Sequence, residues 1–242
     1  MGAMTRPATF SATAMRDRLL GMTTATATAM LDKRGYPNQF MLGAQAIQTG
    51  KRACGRAVTV RFGPARPDLM HPPDQRAQDA LWLAIESIES GDFLVLDCGG
   101  DLRAGTTGDI LASRVQHRGG VGIVVDGALR DAAQIRELVG LPCWARGVHG
   151  SGFTAALACL DLNLAVRCFG VTVRPGDYVL ADDDGLVAIP AALAADVAEE
   201  GNEQELKERF IRGLVQEGVP TSECYPPNAD VLRRYADWKR AQ

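Results

Sequence analysis

Two short stretches gather charge beside glycine: Gly105-Thr106-Thr107-Gly108-Asp109 and Asp126-Gly127-Ala128-Leu129-Arg130-Asp131. In the first, backbone N–H groups opening a helix would form a cradle for a carboxylate or phosphate, because the unpaired donors and the helix dipole point the same way. In the second, Arg130 offers a planar fork to a carboxylate or enolate oxygen, and the adjacent Asp131 can give one hard oxygen to a divalent cation. A plainer reading stands beside it: Asp126 and Asp131 as turn and helix-cap residues, with Arg130 in a surface ion pair. Neither GxGxxG nor GxxxxGK[ST] is present, so a nucleotide-binding loop is not supported.

Other reactive residue types give weaker signals. His71, His117 and His149 lie far apart in the chain, and His117, beside Arg118 inside a helical stretch, reads as a surface residue. The six cysteines (Cys54, Cys98, Cys143, Cys159, Cys168 and Cys224) contain no CxxC pair and read as buried, reduced side chains. No serine sits in a GxSxG elbow, so covalent catalysis has no support. The acidic run Asp182-Asp183-Asp184-Gly185 reads as a hairpin turn with solvated carboxylates in preference to a metal site.

The elements that must position these loops follow from periodicity and punctuation. Ser11 to Asp32 reads as one or two helices ended by the turn chemistry of Gly35-Tyr36-Pro37-Asn38, and Arg56 to Phe62 alternates as a half-buried strand. Gly63 to Pro73, with four prolines, reads as a surface loop before a helix from Gln75 to Glu89. Phe93 to Asp97 is a buried strand feeding Gly99-Gly100; a helix follows from the Gly105 loop through Arg118, stopped by Gly119-Gly120. Val121 to Val125 is a second buried strand, expected to run into an Asp126-Gly127 turn, with a helix from Asp131 to Val139 behind it. Strand, glycine loop, helix, strand and helix in succession make an α/β arrangement that brings both charged loops to one edge of a parallel sheet, where ligands usually bind. Residues 164 to 189 read as strands around the turn Arg174 to Asp177 and the acidic run, and a long charged helix spans about Ala191 to Glu217. The broad polar face of that helix is expected to be solvated or to bridge subunits. A short helix from Asp230 to Arg240 finishes the chain after Pro226-Pro227.

With 242 residues, 46% of them hydrophobic, the chain can bury a substantial core, and one domain is expected over 5–242, with a C-terminal helical extension from about 191. The opening Met-Gly-Ala-Met resembles a vector remnant at 1–4. A net charge of −3 gives no general pull toward nucleic acid or an anionic membrane. Apolar runs are broken well short of the roughly 20 residues a membrane span needs, and no secretory leader opens the chain, so a cytoplasmic protein is expected.

Taken together, the stretches 55–60 (GRAVTV), 91–100 (GDFLVLDCGG), 105–131 (GTTGDILASRVQHRGGVGIVVDGALRD) and 173–190 (VRPGDYVLADDDGLVAIP) resemble the RraA-like group. That group includes 4-hydroxy-4-methyl-2-oxoglutarate and 4-carboxy-4-hydroxy-2-oxoadipate aldolases, and the likeness extends over nearly all of the chain after about residue 20. It implies a layered β/β/α domain with glycine-rich loops at the sheet edge, assembled as a trimer or dimer of trimers with the site between subunits. The implied activity is that of a class II pyruvate aldolase: Mg²⁺-dependent retro-aldol cleavage of a 4-hydroxy-2-oxo acid, with Mn²⁺ substituting and oxaloacetate decarboxylation as a side activity.

By the same resemblance, Asp131 is the direct Mg²⁺ ligand and Arg130 holds the pyruvyl oxygen and stabilises the enolate. Backbone amides at Gly108, Asp109, Ile110 and Leu111 take the pyruvate carboxylate, and Asp109 positions a water for proton transfer. Glu205 resembles an acid contributed by the neighbouring subunit, with Glu208 the competing alignment. The stretches Arg61 to Asp68 and Cys224 to Pro227 resemble a less characterised branch of the group. The fold also hosts regulators of ribonuclease E without aldolase chemistry; in such a protein the Arg130-Asp131 pair would be idle.

Overall fold

Alternation along the buried strands divides the molecule into layers. The structure, a computed structural model, describes residues 11–242, so the expected vector remnant lies outside the described residues. Its strands are β1 (Gln45–Ala46), β2 (Ala53–Pro64), β3 (Asp92–Asp97), β4 (Gly122–Leu129), β5 (Cys143–Val148), β6 (Leu157–Leu162), β7 (Val166–Cys168), β8 (Val171–Val173), β9 (Tyr178–Ala181) and β10 (Leu186–Ile189). Eight of them form one sheet in the order β1-β5-β4-β3-β2-β9-β10, with β6 also paired to β2. Strands β2 to β5 run parallel, while β6 and β9 lie antiparallel against different halves of the long β2.

Helices α1 (Ala12–Leu19), α2 (Thr24–Asp32), α3 (Ala80–Ser87), α4 (Asp109–His117), α5 (Ala132–Gln134, continuing as a π turn to Val139), α6 (Ala194–Gln216), α7 (Thr221–Cys224) and α8 (Ala229–Arg240) complete the elements used below. Leu94 and Leu96 of β3 and Ile123 and Val125 of β4 point to one face, where they pack with Leu81, Ala84 and Ile85 of α3 and Ala112 and Val115 of α4. Phe93, Val95 and Val124 point to the other face, under the β7–β8 ribbon with Val166, Cys168, Val171 and Val173. Two-faced burial explains why these strands read as continuous apolar runs, and the ribbon, sheet and helices make the expected β/β/α layering. A third cluster joins α1, α2 and the start of α6 to β9 and β10, and a small fourth one ties the end of α6 to α7 and α8. Among the described residues no helix is long and apolar enough to cross a membrane.

Three local expectations are corrected. The helix expected from Gln75 is a 3-10 segment, Pro73–Gln78, followed by α3 from Ala80; Asp79 between them is extended, with ψ 140°, and divides the two. The expected Asp126-Gly127 turn lies inside β4 instead. Pairing with β5 shifts register between Val125 and Ala128, so one extra residue of β4 is accommodated as a bulge and the strand continues to Leu129. The acidic run does form the β9–β10 turn, but Asp182 is buried and not solvated, because its carboxylate accepts from the Thr24 N–H and hydroxyl, each at 2.8 Å, and so secures the start of α2. Strands β1, β5 and β6 are additions to the elements expected from the sequence.

Candidate functional site

The bulge decides where Arg130 and Asp131 go. An extra residue in one strand re-aims everything after it relative to the pleat, and at this bulge Asp126 turns inward. Its carboxylate is buried, bonded to the Arg146 guanidinium and accepting from the Phe169 N–H at 2.7 Å. Asp126 therefore belongs to the core and is neither a turn residue nor a ligand. Gly127 is required there, since a Cβ would fall 2.7 Å from that of Cys98 and 2.9 Å from the Asp101 carbonyl.

Beyond the bulge, backbone bonds knit three loops together. Thr106 N–H donates to the Ala128 carbonyl (2.9 Å), Arg130 N–H to the Thr107 carbonyl (3.0 Å), Gly105 N–H to the Ser151 carbonyl (2.8 Å), and His149 N–H to the Leu129 carbonyl (2.8 Å). The loop carrying Gly105 is thereby inserted like a short strand between the end of β4 and Gly152. These bonds hold the first helical turn of α4 against Arg130 and Asp131 at the carboxyl edge of the parallel strands, where an α/β sheet offers a crevice.

The crevice is a cavity of about 240 Å³, walled on one side by Gly105, Thr106, Gly108, Asp109, Ile110 and Leu111 and on another by Arg130 and Asp131. Trp82, Phe153, Gly152, Thr154 and Arg76 complete the wall. Sequence reasoning missed these last five. Only the fold brings them here; a lone arginine in a proline-rich stretch and an aromatic on a helix carry no local signal of a site.

Within the cavity, Arg130 Nε donates to Asp131 Oδ2 at 2.9 Å, the two side chains being 42% and 32% exposed. Asp131 has φ 54° and ψ 37°, a left-handed conformation that aspartate tolerates better than most residues but that still costs roughly 1–2 kcal/mol. It stands at the cap position of α5, yet its side chain makes no capping bond. The carboxylate is thus turned to the cavity and not to its own helix. On the facing loop a Cβ at Gly108 would come within 2.4 Å of Asp131 Oδ2 and 3.2 Å of Arg130 Nε. Gly108 has φ −108° and ψ −172°, which any residue can adopt, so close approach and not backbone freedom requires glycine there. Gly108→Ala is therefore expected to melt near wild type while losing about 10²-fold in any turnover that depends on the placement of Asp131, since an error of about 1 Å in a reacting group has that size of effect. Thermal melts and initial rates on the same preparation check both halves.

The N–H groups of the first turn of α4 have no backbone acceptors within the helix, and the residues that carry them line the same cavity. Asp109, at the first position of α4, accepts from the Ile110 N–H at 2.8 Å. The residues present fit one divalent cation. Among the described residues no cluster of three or more His, Cys, Asp or Glu could hold a metal. A single carboxylate beside open space instead matches a hard cation that keeps most of its waters.

Glu205 does not line this cavity in its own chain. It sits on α6, where Oε1 accepts from the Thr23 N–H (2.9 Å), the Thr23 hydroxyl (2.9 Å) and the Thr26 hydroxyl (2.7 Å) at the start of α2. Burial raises its pKa, but these donors and the nearby Arg52 outweigh that and hold the carboxyl below the usual range, so it is ionised at neutral pH. The polar face of α6 finds further partners inside the chain. Glu203 bonds Tyr235 and Lys239 of α8, Asn202 donates to the Arg18 carbonyl, and Glu200 pairs with Arg34. Several residues of that face are thus tied within the chain, although the Glu200 and Glu203 side chains remain 58% and 44% exposed. Glu208, the competing residue, accepts from Gln204 on the same helix at 2.7 Å.

The remaining reactive types lie elsewhere. Burial pushes the thiols of Cys54, Cys143 and Cys159 up to about 12 and those of Cys98 and Cys168 well above their ordinary value, which leaves them as inert core side chains. His117 is exposed, His71 bonds Asp79, and His149 Nδ1 accepts from the Ser151 N–H at 3.0 Å.

With this geometry in place, comparison with known proteins defines the class. The family model described as "RraA-like: Aldolase/RraA" matches residues 23–188, and the chain belongs to the RraA-like family. It is similar to a Halalkalibacterium halodurans protein named "Putative 4-hydroxy-4-methyl-2-oxoglutarate aldolase", at 27% identity over 67% of this chain and 75% of that one. A Pseudomonas aeruginosa protein of the same name is 42% identical over 43% of this chain and 62% of its own length. Among solved structures, "Streptomyces coelicolor RraAS2, an unusual member of the RNase ES inhibitor RraA protein family" superposes with a TM-score of 0.75 at 33% identity, over 85% of this chain and 99% of that one.

Proposed function

We propose that the chain is a divalent-metal-dependent carbon–carbon lyase that cleaves a 4-hydroxy-2-oxo acid to pyruvate and a second carbonyl compound. The observation that carries the reading is the convergence of Asp109, Arg130, Asp131 and the open end of α4 on one small cavity. The names of the aldolase relatives agree with it.

Each residue has a role that its chemistry allows. The N–H groups from Gly108 to Leu111, apart from that of Ile110, which the Asp109 carboxylate already holds, bind the C1 carboxylate, because free donors and the helix dipole favour an anion there. Arg130 directs its guanidinium at the 2-oxo oxygen, where negative charge develops as the C3–C4 bond breaks. Asp109, acting through a water, accepts the proton of the C4 hydroxyl, so that C4–O becomes a carbonyl and the C3–C4 electron pair is left as an enolate. The same proton is then returned to C3 to give pyruvate. Asp131 holds Mg²⁺, or Mn²⁺ in its place; when bound, the cation supplies Lewis-acid stabilisation of the developing oxyanion. Decarboxylation of oxaloacetate leaves the same enolate with CO₂ as the other product, so pyruvate release from oxaloacetate, with and without Mg²⁺, is the direct test. Absence of Mg²⁺-stimulated release would favour the rival, a non-catalytic ribonuclease regulator, the inhibitor family to which RraAS2 is assigned.

Glu205 enters this scheme only from a second copy of the chain. All three of its bonds fall on Oε1, and the shared-site reading assigns its other oxygen to the neighbouring cavity. Mixing Arg130→Ala with Glu205→Gln protein under subunit exchange is then expected to restore activity that neither variant has alone. Mixed oligomers that form but stay inactive would leave Glu205 solely as the anchor of α2.

A further inference from the structure

One charged group on the cavity wall has no task in the scheme above. Arg76 lines the cavity, its Nε is buried, and among the described residues its guanidinium has no hydrogen-bond or ion-pair partner. A guanidinium left without an acceptor beside a cavity is open to an anion that the chain does not itself supply. Arg130, by contrast, is already bonded to Asp131, and Asp109 to the Ile110 N–H.

Arg76 is also held in place. It lies in the 3-10 segment that opens at Pro73, whose ring fixes the first turn. His71 Nδ1 and Asp79 Oδ1 lie 2.6 Å apart and clasp the two ends of that segment, while the Asp79 N–H donates to the Arg76 carbonyl at 3.0 Å. From that fixed origin the arginine offers a planar fork, which can bind a planar anion with two parallel hydrogen bonds.

Charge points the same way. The wall carries two guanidinium groups, Arg76 and Arg130, and two carboxylates, Asp109 and Asp131, which cancel. One divalent cation at Asp131 would leave an excess of two positive charges, or of one where the ionised Glu205 of a second copy joins the site, so the cavity is positive toward an anionic ligand in either case. We propose that Arg76 is a specificity-determining residue that binds a second, distal carboxylate of the substrate, so that the cavity selects 2-oxo dicarboxylic acids over monocarboxylic acids of equal length. This rests on reading the cavity as a 2-oxo acid site, but not on turnover.

Calorimetric titration of the Mg²⁺-loaded protein with 2-oxoglutarate and with 2-oxopentanoate, which differ only in the distal group, tests it without catalysis. Wild type is expected to prefer 2-oxoglutarate by about 10- to 100-fold, the size of effect of a charge-assisted bond. Arg76→Ala should abolish that preference, and Arg76→Lys should keep part of it. Equal weakening of both ligands in Arg76→Ala, or a preference that survives the substitution or is absent from wild type, overturns the assignment. If the preference depends on Arg76 while oxaloacetate yields no pyruvate, the assignment stands and the lyase reading falls.

Discussion

Asp131→Asn is expected to remove Mg²⁺-stimulated pyruvate release from oxaloacetate while leaving the melting temperature close to wild type. Asparagine is nearly isosteric and shares the tolerance of aspartate for the left-handed backbone at φ 54°, so the substitution isolates the charge. A cation acting on a developing oxyanion contributes several kcal/mol, and each 1.4 kcal/mol is tenfold, so a loss on the order of 10³-fold is anticipated. Asp131→Ala should be equally inactive but also less stable, because alanine gains nothing from its side chain in that conformation. Rates across a Mg²⁺ titration, read beside thermal melts, separate the two effects. Undiminished Mg²⁺ stimulation in Asp131→Asn would remove this residue from the metal site.

The second large effect is expected at Arg130. Lysine keeps the charge but not the planar fork, and the Nε that bonds Asp131 at 2.9 Å has no counterpart in a lysine side chain. Arg130→Lys should therefore lose both its grip on the 2-oxo oxygen and the alignment of the neighbouring carboxylate. Removal of one preorganised donor to an oxyanion costs about 10²- to 10³-fold in kcat. A kcat within a few-fold of wild type would place the oxyanion elsewhere in the cavity.

What the sequence disclosed follows from how local each signal is. The charged loops were legible because glycine, aspartate and arginine stand side by side in them, and because β3 and β4, buried on both faces, read as unbroken apolar runs. Layering was legible through the family likeness as much as through periodicity. The bulge was not, since Asp-Gly is among the strongest turn dipeptides and only pairing with β5 shows that the strand runs on. Strand β5 itself mixes Arg146 and Gly147 with apolar residues, and β6 buries only its first half, so neither shows a clean alternation. Arg76 and Glu205 show the limit from opposite sides. Arg76 acquires a reason to exist only when helix α3 and the β4 edge meet around it, whereas the partners of Glu205 lie about 180 positions away.

The bulge in β4 also sets a rule of length. Asp126 faces the core and Arg130 faces the cavity because one residue more stands in β4 than in the paired segment of β5. Removing Leu129, just past the bulge, would slide Arg130 into its place, where inward and outward are exchanged, and would send the guanidinium to the wrong side of the sheet. The proline-rich stretch before α3, which crosses the surface and pairs with no strand from Pro67 to Gln78, has no such count to keep. Chains built on this frame are thus free to lengthen or shorten at the rim of the cavity, but at its floor they can change only letter by letter.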